Sequence, residues 1–171
     1  MADTERATAT LLTLLADNAA GAISAQDLRD ALVSCLGGYA SIYVIDGAAA
    51  QAVSATPTKL TAFAADGPYL GATPAHATDQ ITIGVTGVYR VDFAATISGD
   101  AETYTIRLRK NGSAEGTLAA AATLAASATQ AVAFSGLVSL TANDILTVYA
   151  AAGGAANLTV THACLSVKRI G

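Results

Sequence analysis

A chain of 171 residues is long enough to bury a core without disulfide or metal staples, and it fits one main domain with an appendage. Only 13% of the residues are charged and 53% are hydrophobic, with a mean hydropathy of +0.47, whereas an ordinary globular chain is about 25% charged. The net charge of -4, from 9 basic and 13 acidic residues, argues against a nucleic-acid binder, whose affinity rests on clustered Lys and Arg.

The apolar excess calls for cover. Its richest stretches, Ala48 to Ala55 and Leu118 to Ala128, are Ala-rich and broken by Thr, Ser or Gln, so neither offers the roughly 20 strongly apolar residues of a membrane-spanning helix. Protein partners are the expected cover, because oligomer contacts shield surface that a lone subunit exposes. Aromatics make up only 5% and Trp is absent, so the excess is mainly Ala, which suits close backbone approach better than a bulky ligand pocket.

The first residues, Met1 to Arg6, lack the basic start and apolar run of a secretion signal, which leads to the expectation of a reducing cytoplasm and of Cys35 and Cys164 as free, buried thiols. Helical spacing follows. Leu11, Leu14 and Leu15 recur on one face, and Leu28, Leu32 and Cys35 or Leu36 do so again after a break at Asn18 to Gly21. Ser24-Ala25-Gln26-Asp27 resembles a capping box, with Asp27 three residues after the cap and at the positive end of the helix dipole. Gly37-Gly38 stops the second helix. Helices this short need packing, either as padding on the β domain of the same chain or as a docking segment. Residues 1–38 are therefore read as a helical anchor and 39–171 as the main domain.

From Tyr39 the period becomes two. Ser41 to Ile45 reads as a strand, Lys59 to Phe63 as a shorter one, and Asp66-Gly67-Pro68 as a turn. Ile81, Ile83 and Val85 alternate with polar or small partners, and after Thr86-Gly87 so do Tyr89, Val91, Phe93, Ala95 and Ile97. Tyr104, Ile106 and Leu108 are expected to face inward while Thr105, Arg107 and Arg109 face out, before Asn111-Gly112 turns the chain. Residues 113–129 fit an extended connection or edge strand better than a helix. Val132, Phe134, Val138 and Leu140 alternate, Ala142-Asn143-Asp144 turns, and Ile145 to Tyr149 and Leu158 to Val167 are further strands around a Gly153-Gly154 loop. The fold class is thus mainly β, an antiparallel sandwich or jelly roll behind a short helical segment.

His76 and His162 lack zinc-motif partners, Ser166 lies in no nucleophile elbow, and the aspartates are scattered rather than gathered in one calcium loop. No enzyme activity, metal or cofactor is expected. Arg107-Leu108-Arg109-Lys110 reads as a solvated face ending in a turn.

Gly87-Val88-Tyr89-Arg90-Val91-Asp92-Phe93 and Tyr104-Thr105-Ile106-Arg107-Leu108-Arg109-Lys110-Asn111-Gly112 resemble the trimeric jelly-roll superfamily of tumour necrosis factor and the complement globular head. Val138 to Val148 is similar to its strand, acidic turn and strand, and Ala163 to Ile170 to its closing core strand. The likeness spans residues 41–171. Leu15-Ala16-Asp17-Asn18 and Gly21 to Asp30 resemble the leader before such domains in phage structural proteins.

The resemblance implies a homotrimer whose inner sheets meet at a threefold axis, with Tyr43, Tyr89, Tyr104 and Tyr149 as contact candidates. It implies a virion component assembled in the host cytoplasm: a capsid decoration or head-fibre protein that docks on the major capsid protein or other virion proteins through Leu11, Leu14, Leu15, Leu28 and Leu32, with neither nucleic acid nor membrane as partner. The alternative is a fibre tip or receptor-binding adhesin that reads a glycan through Tyr69 and Tyr149. A secreted cytokine-like ligand is a third possibility, and it requires export.

Overall fold

The computed structural model describes residues 37–170, together with Ser24, Asp27, Leu28 and Ala31. Strands in chain order are β1 (Tyr39–Val44), β2 (Ala50–Val53), β3 (Thr58–Lys59), β4 (Ala65–Asp66), β5 (Ala72–Ala75), β6 (Gln80–Ile83), β7 (Gly87–Gly99), β8 (Thr103–Lys110), β9 (Ser113–Thr123), β10 (Thr129–Leu140), β11 (Ile145–Ala152) and β12 (Ala156–Arg169). They form two antiparallel sheets. Sheet 1 runs β10-β7-β12-β1-β4 with β2 beside β12, and sheet 2 runs β5-β6-β11-β8-β9 with β3 beside β11. This is an antiparallel jelly-roll sandwich, the architecture that the resemblance implies.

The core lies between the sheets and comes from the strands with the clearest period of two. Tyr89, Val91, Phe93, Ala95 and Ile97 of β7 are all buried, as are Tyr104, Ile106 and Leu108 of β8. Phe93 and Phe134 pair across β7 and β10 with ring centroids 5.0 Å apart and planes at 26°. In β12 a bulge between Val160 and His162 adds one residue, so Leu158 and Val160 point inward before it and Ala163, Leu165 and Val167 after it.

Tyr89 and Tyr104, expected at subunit contacts, are instead core residues with no exposed surface. Their place in the alternation puts them on the inner face, and each tip finds an acceptor there. The Tyr89 hydroxyl donates to Val85 O at 2.7 Å and that of Tyr104 to Asn157 O at 2.7 Å. Gly99 makes room for the second tyrosine: a Cβ there would lie 2.7 Å from the Tyr104 hydroxyl and 2.3 Å from Asn157 O.

Two local expectations change. The strand foreseen at Lys59 to Phe63 shortens to Thr58–Lys59, because side chains take the later amides: Thr61 N donates to Gln51 Oε1 at 3.0 Å and Phe63 N to Asp79 Oδ1 at 3.2 Å. The turn foreseen at Asp66 to Pro68 is a segment running along β1, with Asp66 in β4 and Gly67 N donating to Ser41 O at 2.8 Å. A Cβ at Gly67 would lie 2.1 Å from Ser41 Oγ, so any larger residue there must turn that hydroxyl aside. The ambiguous 113–129 region supplies β9, the edge strand of sheet 2.

At the N-terminal side, the capping box forms. Ser24 N donates to Asp27 Oδ2 at 2.9 Å, Asp27 N donates to Ser24 Oγ at 3.1 Å, and Leu28 N follows with a helical bond to Ser24 O at 3.2 Å. Leu28 is 56% exposed. The other docking candidates, Leu11, Leu14, Leu15 and Leu32, lie outside the described residues, as does Cys35.

Two turns at one end of sheet 2 lock together. Asn111 and Gly112 both adopt positive φ, at 51° and 79°. The Asn111 amide donates to Asp144 Oδ1 at 2.6 Å, Thr141 N donates to Asp144 Oδ2 at 2.8 Å, and Ile145 N donates to Asn111 Oδ1 at 2.8 Å. Burial pushes the Asp144 carboxyl up, but these donors and the Lys110 charge outweigh it and hold the group below its ordinary value. A depressed folded value means that the stabilisation is present above the unfolded value of about 3.9 and fades as pH falls through the lower folded one. Asp144→Asn is therefore expected to lower the melting temperature at pH 7 by a few degrees. Its deficit should shrink below pH 4 in thermal unfolding; a deficit constant from pH 7 to pH 2.5 would contradict the ionic role.

Candidate functional site

The outer face of sheet 1 is built in rows that the strand register defines. Ala133 of β10 lies opposite Ala94 of β7, which lies opposite Cys164 of β12, which lies opposite Tyr43 of β1. On one side the next row is Ala131, Thr96 and His162; on the other it is Ser135, Asp92, Ser166 and Ser41. Beyond that come Leu137, Arg90, Lys168 and Tyr39.

The floor of this face is low. Two adjoining hollows of about 520 and 470 Å³ share Ala94, Ala133 and Cys164, with Tyr43, Ile45 and His162 along one and Asp92, Ser135 and Ser166 along the other. Of the large apolar side chains that the described residues leave exposed, Tyr39, Ile45, Val88, Leu137 and Ile170 all belong to this face or its margins. Small residues at the centre and large apolar ones around them allow another surface to approach the backbone closely and bury apolar area.

Arg90 and Asp92 pair with each other on this face, while Lys168 is exposed beside them. Arg90 Nε lies 2.9 Å from Asp92, and Ser135 Oγ donates to the same carboxylate at 2.5 Å. His162 Nε2 lies 3.3 Å from Asp46 at the end of β1. Cys164 is exposed here, which corrects the expectation of a buried thiol: the bulge in β12 shifts the alternation and turns it outward beside His162 and Ser166. Partial burial and the Asp92 charge push its thiol up, so at neutral pH it is an uncharged, small, weakly polar group.

The outer face of sheet 2 differs in character. Arg107 stands opposite Tyr149 in the β8–β11 register, and the Arg109 guanidinium lies 4.3 Å above the Tyr149 ring. The four tyrosines expected at one interface are thus dispersed: Tyr43 on the outer face of sheet 1, Tyr149 on that of sheet 2, and the other two in the core. Tyr69 is 61% exposed in the segment between β4 and β5, and it does not join Tyr149.

Sequence reading missed Ala94, Ala131, Ala133 and Leu137. The available signal was the choice of Ala at successive outward positions of β7 and β10, where a solvent-facing strand ordinarily carries Thr, Lys or Glu. Among the described residues no group of three or more His, Cys, Asp or Glu could hold a metal ion, and no helix is long and apolar enough to cross a membrane.

No protein-family model matches the chain, and no curated protein matches it. Solved structures do. The chain is similar to Eiger TNF from S. frugiperda (16% identity, TM-score 0.60, 78% of this chain and 94% of that one). It is also similar to the globular domain of zebrafish complement 1qA (17%, TM-score 0.59, 79% and 98%) and to murine APRIL at pH 5.0 (14%, TM-score 0.56, 78% and 99%). At these identities the likeness shows the fold: the tumour necrosis factor and complement-head jelly roll.

Proposed function

We propose that the chain is a non-enzymatic structural protein that trimerises through the outer face of sheet 1 and decorates a phage capsid or builds a head fibre. The carrying observation is that face: a floor of Ala94, Ala133 and Cys164 ringed by exposed Tyr39, Ile45, Val88 and Leu137. The trimer follows from combining it with a fold that is typically trimeric. The virion setting rests on the resemblance of the leader phrase, the 13% charge content and the Ala excess.

In this reading the N-terminal segment supplies the grip on the major capsid protein. The exposed Leu28, on a helix opened by the Ser24–Asp27 capping box, is its described representative. The competing adhesin reading draws on Tyr149, which lines a cleft with Arg107 and Arg109.

Sedimentation of the full chain at micromolar concentration should give a mass of three subunits, and the purified protein should bind expanded capsids and raise their resistance to heat. A stable single subunit removes the trimer. Failure to bind or protect capsids removes the decoration role, and copy number per particle then distinguishes a fibre tip, present in few copies, from a shell protein.

A further inference from the structure

On the outer face of sheet 2, Pro57, Thr105, Arg107, Arg109, Tyr149 and Ala151 line a cleft of about 200 Å³. Arg107 and Arg109 are two residues apart on β8, so both guanidinium groups rise from one face of one strand, across from Tyr149 and Thr147 of β11. Arg109 is held at both ends. Its guanidinium lies 4.3 Å above the Tyr149 ring, and Nη1 donates to Gly112 O at 2.8 Å.

One feature points to a missing partner: the two like charges share this face without a carboxylate among the described residues lining the cleft. A planar guanidinium held in place suits a carboxylate, which accepts two parallel N–H donors.

The size and the remaining walls narrow the choice. A volume of about 200 Å³ is below the roughly 300–1,000 Å³ of drug-sized sites, so it admits a single ring rather than an extended chain. Thr105 and Tyr149 bring hydroxyls that can meet ring hydroxyls, while Pro57 and Ala151 bring apolar surface for C–H groups. We propose that this cleft is a binding site for a carboxylated sugar ring, a uronic acid or similar acidic monosaccharide unit, with the Arg107 and Arg109 guanidiniums on its carboxylate. The inference goes beyond the structural role. It needs only that the outer face of sheet 2 stay open, as assembly through sheet 1 leaves it.

The test is an NMR titration of the full chain at constant ionic strength with sodium glucuronate, glucose and sodium acetate. Glucuronate should shift the Tyr149 ring and arginine side-chain resonances saturably, with Kd of order 1 mM. Glucose, which lacks the carboxylate, and acetate, which lacks the ring, should each bind at least about tenfold more weakly. Arg107→Gln, at an exposed position, should weaken glucuronate about tenfold and leave the sedimentation coefficient unchanged. No saturable shift, equal binding of glucose or acetate, or unaltered affinity in both Arg107→Gln and Arg109→Gln each overturns the site. Because sedimentation reads assembly separately, failure of the trimer and failure of this cleft remain distinguishable.

Discussion

Replacing Ala94 with Arg should convert a trimeric species into a folded single subunit. Ala94 lies between Ala133 and Cys164 at the centre of the sheet 1 outer face, where both hollows meet. An arginine there fills the space that a neighbouring subunit needs and places an unpaired charge in the contact. Truncating or mismatching a buried interfacial charge costs about 2–5 kcal/mol, which is roughly 30-fold to several thousandfold in affinity for each contact. A trimer carries that cost at all of its equivalent contacts. The fold should tolerate the change, because the Ala94 side chain points away from the core and is exposed. Sedimentation velocity at micromolar concentration should show the loss of the trimer with an unchanged far-UV circular dichroism spectrum. Thr103→Arg, at an exposed position on β8 in sheet 2, is the matched control and should stay trimeric. If Ala94→Arg also stays trimeric, the subunits meet through another surface.

The domain's strands were legible wherever each side of the alternation had one chemistry. In β7, buried apolar residues at 89, 91, 93, 95 and 97 against Arg90, Asp92, Ala94, Thr96 and Ser98 fix both the strand and its inward face. The Asn111-Gly112 turn and the Ser24–Asp27 capping box were legible for a similar reason: the bonds that make them span only a few residues. What failed depended on partners distant in sequence. Tyr104 faces the core as its place in the alternation expects, which rules it out as a subunit contact, but the acceptor of its shorter hydroxyl bond, Asn157 O, lies 53 residues away and has no local signal. The strand expected at Lys59 to Phe63 ends early because Gln51 and Asp79 compete for its amides.

Cys164 shows a second kind of failure. Its residue type favours burial, and an unbroken alternation from Leu158 and Val160 would have placed it inside. The bulge before His162 reverses that parity, and a one-residue shift moves every later side chain to the other face. The apolar outer face of sheet 1 was hidden because its centre is made of alanines, which composition reports only as an excess without a location. The register supplies the location: it aligns Ala133, Ala94 and Cys164 in one row across three strands.

Phe93, the residue immediately before Ala94, provides the complementary test, since it occupies the opposite face of the same strand. Its ring is 2% exposed, stacks on Phe134 of β10 and lies opposite Leu165 of β12 in the register. Phe93→Ala removes a large buried side chain between two flanking strands of a long, continuous sheet, whose backbones cannot close the space without breaking their ladders. Such truncations cost about 3–5 kcal/mol, with loss of the aromatic pair included in that range. In a domain of this size the melting temperature should fall by roughly 10 °C. Below the transition the variant should retain its subunit stoichiometry, because the outer row of Ala133, Ala94 and Cys164 is untouched. Thermal unfolding read beside sedimentation at 10 °C therefore separates the two sides of β7: position 93 is expected to govern how strongly the subunit folds, and position 94 whether folded subunits associate. A melting temperature unchanged in Phe93→Ala would mean that the aromatic pair is not packed between the sheets as described, and the assignment of inner and outer faces along β7 would fail with it.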